Sequence, residues 1–216
     1  QGFEYSEVEK TQLLAKKALD LFDIGDLEQS LNLSRSTLNA CRKFELLELE
    51  AHLLLNVGMI YRIQGDFQQA LEYLSLSHER ALALGLYNNQ GAALNQIGTI
   101  FRLQGNYSGA LEHFFNALTT FQNCGDRVGV ATVQNNIGIV YFYQGNFEKS
   151  LEYYLASFEF EKDRGDEYGM CISYINIGEV YKMLKKYDEA LDYYDLALTL
   201  ATKNEDKDPD GDSVGI

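Results

Sequence analysis

Apolar residues fall at helical spacing along this chain, and the helical pattern itself returns every forty residues. Leu54, Val57, Gly58 and Tyr61 are followed by Leu94, Ile97, Gly98 and Phe101, then by Gln134, Ile137, Gly138 and Tyr141. Tyr174, Ile177, Gly178 and Tyr181 complete the series. Steps of three and four place each set on one side of a helix, which predicts a buried face. A second pattern lies between these runs. Gly65-Asp66-Phe67-Gln68-Gln69-Ala70-Leu71-Glu72-Tyr73 returns as Gly105-Asn106-Tyr107-Ser108-Gly109-Ala110-Leu111-Glu112-His113 and as Gly145-Asn146-Phe147-Glu148-Lys149-Ser150-Leu151-Glu152-Tyr153. Lys185-Lys186-Tyr187-Asp188-Glu189-Ala190-Leu191 and Gly25-Asp26-Leu27-Glu28-Gln29-Ser30-Leu31 keep the same register.

Each unit therefore predicts two helices. The first ends at Gly25, Gly65, Gly105 or Gly145, where a left-handed residue suits glycine. Asp26, Asp66, Asn106 and Asn146 follow as N-caps of the second. That helix carries the small residues Ser30, Ala70, Ala110, Ser150 and Ala190, with Leu74, Phe114, Tyr154 and Tyr194 as larger partners. A glycine inside a helix costs about 1 kcal/mol against alanine. Gly58, Gly98, Gly138 and Gly178 thus predict a close approach of the partner helix, with Ala18 as the small residue of the first unit. The expected first helices are 8–24, 50–64, 90–104, 129–144 and 169–184. The expected second helices are 27–42, 67–84, 107–123, 147–163 and 187–203.

A fixed repeat of this length predicts an all-α stacked solenoid. The units fall at about 8–48, 49–88, 89–128, 129–168 and 169–203. Residues 204–216 form a linker in which Asp210-Gly211-Asp212-Ser213-Val214-Gly215-Ile216 echoes Cys124-Gly125-Asp126-Arg127-Val128-Gly129-Val130. That echo predicts the start of a sixth repeat. With a first residue other than Met, it also predicts that the chain is part of a longer protein. The last second helix offers Tyr193, Tyr194, Leu196, Leu198 and Leu200, so its end face is expected to be apolar and open to self-association.

The unit resembles the tetratricopeptide repeat (TPR): an aromatic or Leu, a Leu-Gly-like pair, Tyr, then Gly-Asp/Asn-Tyr/Phe, Ala, an aromatic and Ala. Its forty residues exceed the usual 34. The longer variant is similar to the arrays of Pins-type spindle-orientation scaffolds. It is also similar to arrays fused to bacterial diguanylate cyclases and sensor kinases. The resemblance implies a right-handed α–α superhelix and a non-catalytic module that binds a protein or peptide segment. It would be the sensory or scaffolding part of a larger bacterial signalling protein. The alternatives are a self-standing adaptor, or a regulatory array of an enzyme whose catalytic domain lies outside this segment.

Composition narrows the partners. The net charge is −14, which argues against nucleic acid and anionic membrane, both held mainly by Lys and Arg. Three widely spaced cysteines, Cys41, Cys124 and Cys171, predict reduced thiols and a cytoplasmic setting. No apolar run reaches transmembrane length.

Catalysis needs convergent reactive groups, and none appears; neither metal nor cofactor is expected. Cys171 shares a register with Ala51, Gly91 and Ala131 and is expected to fill space. His113 replaces a tyrosine and is expected at the surface or in the groove. His78 stands in a leucine column and is expected as a hydrogen-bonded core histidine. Glu72, Glu112, Glu152 and Asp192 lie a repeat apart and predict a solvated face. Recognition remains. By the resemblance, first helices line a concave groove whose columns include Leu55, Asn95, Asn135 and Ile175, then Arg62, Arg102, Phe142 and Lys182. Beside them run the amides Asn56, Gln96, Asn136 and Asn176, which either hold an extended backbone or bridge neighbouring helices. The basic column Arg62, Arg102 and Lys182 points to an acidic partner segment, because guanidinium groups pair well with carboxylates.

Overall fold

The computed structural model describes residues 5–205. Among them are ten α-helices and no strand: α1 (Glu7–Asp23), α2 (Leu27–Lys43), α3 (Leu47–Ile63), α4 (Phe67–Leu84), α5 (Tyr87–Leu103), α6 (Tyr107–Cys124), α7 (Arg127–Tyr143), α8 (Phe147–Arg164), α9 (Glu167–Met183) and α10 (Tyr187–Glu205). The fold is all-α and of the repeat-solenoid class. The chain divides into two compact units, Gln1–Gly129 and Val130–Ile216, so the first holds α1–α6 and the opening of α7, and the second the rest of α7 with α8–α10.

The turns follow from a few residues. At the end of α3, Gly65 takes φ 81°. Its N–H donates to the Arg62 carbonyl, and the Asp66 N–H donates to the Tyr61 carbonyl. This pair of bonds closes the last turn of the helix and leaves the chain reversed. The Asp66 carboxylate then accepts from the Gln69 N–H at 3.1 Å and opens α4. The same exchange recurs at Asp26, Asn106 and Asn146.

The first helices after α1 start two or three residues earlier than the apolar spacing predicts. Glu45, Gly85, Gly125 or Gly165 turns the chain, and the next residue is already the N-cap or its equivalent. At Asp126 and Asp166 a carboxylate marks the start by accepting from Gly129 and Gly169. Leu46 and Leu86 cap α3 and α5 with no side-chain bond, so those two starts carry no sequence signal.

The glycine column does what its position demands. A Cβ on Gly58 would lie 2.6 Å from Leu74 Cγ, and one on Gly98 2.7 Å from the Phe114 ring. In the second unit Gly138 and Gly178 stand equally close to Tyr154 and Tyr194. Where the facing residue is serine, it bonds the backbone: Ser30 Oγ donates to the Ala18 carbonyl, and Ser150 Oγ to that of Gly138. In the first unit, Ala15, Ala18, Leu38, Cys41, Leu53, Leu54 and Val57 form one buried cluster, and Ala70, Leu74, Ile97 and Ile100 another. Tyr154, Ile177 and Val180 form the centre of the second unit.

Candidate functional site

In the first unit, α3 and α5 pack side by side and carry Arg62 and Arg102 in the same register. Both side chains are half-buried, and the Nε of each is buried without a hydrogen-bond partner. Among the described residues neither forms an ion pair. Burial first, and then the charge of Arg102, lower the pKa of Arg62 from its ordinary value. Arginine keeps its proton regardless, so two cations face each other with no counter-charge on a chain of net charge −14. Buried polar groups are normally paired, and leaving one unpaired is costly.

The amides divide. Asn56 is buried; its Nδ2 donates to the hydroxyls of Ser30 and Ser34 at 3.0 and 3.2 Å and reaches the Ala18 carbonyl at 3.4 Å. It ties α3 to the preceding helix pair and does not present its amide to a groove. Asn95 is buried as well, whereas Gln96 is half-buried. Asn89, which the spacing did not single out, makes a similar tie one helix pair on, from a different register. It donates to Ser77 Oγ and to the Ala51 carbonyl.

In the second unit Asn135, Asn136 and Asn176 are half-buried, and Asn176 Nδ2 donates to Asn135 Oδ1 at 3.0 Å. Lys182 is exposed and bonded to Glu179 at 2.7 Å, one turn back on its own helix. It is therefore a neutralised cation, unlike the two arginines. The lysine hydrogen bond first, and then that from the Tyr194 hydroxyl at 2.6 Å, hold the Glu179 carboxyl below its usual range. Burial and this carboxylate push the Tyr194 phenol up to about 12. Phe142 turns toward α8 and meets Phe147 edge-on at 5.7 Å.

The remaining candidates are structural. Cys41 is buried, and burial together with the Glu50 carboxylate pushes its thiol up, away from reactivity. Cys171 donates to the Ala197 carbonyl at 3.6 Å. His113 stacks on Phe101 with centroids 5.1 Å apart. His78 departs from expectation: it is half-buried, its Nδ1 is buried with no partner, and burial lowers its pKa. The neutral ring substitutes for the column's leucine. Glu72, Glu112, Glu152 and Asp192 are all exposed. Among the described residues no group of His, Cys, Asp and Glu could hold a metal ion. No described helix is long and apolar enough to cross a membrane.

Two features escaped the sequence reading. Glu50 is buried between Arg42, at 2.7 Å, and Arg80, at 3.0 Å, and so links α2, α3 and α4. Its partners are 8 and 30 residues distant, with no counterpart in other repeats. The other is a column: Ile63, Leu103, Tyr143 and Met183, the last residue of four successive first helices, are all exposed. Its signal was available, an apolar residue every forty positions just after the basic column.

A family model described as tetratricopeptide repeat matches residues 49–123, 89–163 and 129–203. No curated protein matches the chain in sequence. Similar solved structures include BtubC (BKLC) from P. vanneervenii, at 21% identity and TM-score 0.76, covering 92% of this chain and 81% of that one. Another is a signal transduction ATPase with numerous domains and a tetratricopeptide repeat sensor, from Pyrococcus horikoshii. It is 19% identical with TM-score 0.78, over 94% of this chain and 31% of that one. Aspartyl phosphate phosphatase F from Bacillus subtilis gives 13% identity and TM-score 0.71, over 92% and 61%. These likenesses concern the fold alone. The overlapping repeat matches run without a break from residue 49 to residue 203, and the chain belongs to the tetratricopeptide-repeat family.

Proposed function

We propose that this chain is a non-catalytic recognition module that takes up an acidic segment of a partner protein. It would serve as the sensory or scaffolding part of a larger signalling protein, as the repeat sensor does in the Pyrococcus horikoshii ATPase. The observation that supports this is the Arg62–Arg102 pair, half-buried on adjacent helices, unpaired at both Nε atoms and repelling each other. A carboxylate between them would supply the missing acceptor and remove the repulsion, and such charge-assisted bonds are the stronger kind. Gln96 is the nearby amide left for backbone contacts. In the second unit Asn135, Asn136 and Asn176 would serve a separate stretch.

Fluorescence anisotropy with labelled poly-glutamate and poly-lysine peptides tests this reading. The glutamate peptide should bind, more weakly as salt rises, and the lysine peptide should not. Arg102→Glu should lower affinity roughly tenfold or more and flatten the salt dependence. Unchanged affinity in the double variant Arg62→Glu/Arg102→Glu would reduce the basic column to solvated side chains.

A further inference from the structure

We infer that the partner segment is read in steps of three residues, each step an acidic side chain for an arginine followed by an apolar one for the residue beside it. This rests on the reading of Arg62 and Arg102 above and adds the partner's spacing and its second chemistry.

The second chemistry comes from Ile63 and Leu103. They are 49% and 48% exposed, each one residue after an arginine, at the ends of α3 and α5. A single exposed aliphatic needs no explanation. Here two stand in register on adjacent helices, each beside a cation with no acidic partner. Met59 and Leu55, one and two turns earlier on α3, are only half-exposed. The helix ends therefore offer the same pair twice, a guanidinium and an aliphatic side chain, separated by one helix-to-helix step.

The spacing follows from general geometry. Packed helices lie about 8–10 Å apart. A polyproline-II segment rises about 3.1 Å per residue and completes a turn in three, so every third side chain points the same way about 9 Å on. A strand cannot do this at the same interval, because its side chains alternate faces with a period of two. An extended segment crossing α3 and α5 therefore brings residues i and i+3 to Arg62 and Arg102, and i+1 and i+4 to Ile63 and Leu103. Its conformation is also pre-extended, which lowers the ordering cost of binding. The partner is an acidic–apolar segment of the form acid-apolar-any-acid-apolar.

Labelled synthetic peptides test the spacing on the whole chain. One carries four copies of Glu-Leu-Ser. A second has the same composition with glutamates two and four residues apart, and a third is four copies of Glu-Ser-Ser. The first should bind at least about tenfold more tightly than either control, the scale of one charge-assisted hydrogen bond for the respaced peptide and of leucine burial for Glu-Ser-Ser. Ile63→Ser/Leu103→Ser should erase its advantage over Glu-Ser-Ser while leaving Glu-Ser-Ser binding unchanged. Equal binding of all three glutamate peptides would overturn the spacing and the apolar contact, yet leave acidic recognition standing. If no glutamate peptide binds, the recognition reading itself fails.

Discussion

Gly138 shows how a single atom sets the distance between two helices. Replacing it by alanine would add about 1 kcal/mol of intrinsic helix preference. The added Cβ, however, would lie 2.7 Å from the Tyr154 ring, a distance that real contacts do not tolerate. The ring cannot swing away like the end of a flexible chain, because Tyr154 lies in the buried cluster with Ile177 and Val180. Overpacking wins, and Gly138→Leu should destabilise the protein by about 1–3 kcal/mol, read from its thermal or urea midpoint. An unchanged midpoint would mean that this helix face is not packed as described. This column was legible because a glycine in a helix has few other reasons to recur. Asn56 was not legible in the same way. Its partners Ser30 and Ser34 lie 26 and 22 residues away, and an amide reads alike whether it binds a ligand or a hydroxyl.

Among the elements, the turns separate local instruction from local conflict. Among the described residues seven glycines take positive φ, but Glu45 and Lys185 hold the same kind of turn at φ 56° and 60°. A side chain in this region costs about 1–2 kcal/mol, partly offset by the extra freedom glycine would have when unfolded. Lys185→Gly should therefore raise stability by about 0.5–1 kcal/mol, and Glu45→Gly likewise, as upward shifts of the urea midpoint with no change in slope. A lower midpoint would show that Lys185 holds the turn through its side chain. The helix ends at Gly25, Gly65, Gly105, Gly125, Gly145 and Gly165 could be read from glycine followed by Asp or Asn. The starts of α3 and α5 could not, because Leu46 and Leu86 use only their backbone.

Across the whole chain, every second helix carries one stripe: Leu31 and Leu38, Leu71 and His78, Leu111 and Leu118, Leu151 and Phe158, Leu191 and Leu198. Leu31 and Leu38 pack with α3, Leu71 with α5, and Leu151 and Phe158 with α9, each time the next first helix. On α10 there is no such cover among the described residues, and Leu191 and Leu198 are 59% and 61% exposed. The echo of a repeat start at 211–216 lies outside the described residues. Leu151→Ala should cost about 2 kcal/mol. Leu191→Ala should stay within about 0.5 kcal/mol if its face is open in solution. An equal cost at both sites, together with a larger mass by sedimentation, would mean that a second copy covers this end. An equal cost in a monomer would assign the cover to this chain's own tail.

Some of this was decided along the sequence and some only by folding. Repeat length, helix pairs, caps and the glycine column depend on residues at most one helix hairpin apart. Sterics and hydrogen bonding act there over spacings that the chain itself displays, so they could be read in advance. The fates of individual polar groups depend on neighbours one or two helices away. Asn56 went inward to hydroxyls, and Glu50 was enclosed by two arginines. Arg62 and Arg102 were left with a buried Nε and no acceptor, beside Ile63 and Leu103 in the open. Whether a charge is paired depends on what packing brings within about 4 Å, and that distance exists only in the folded chain.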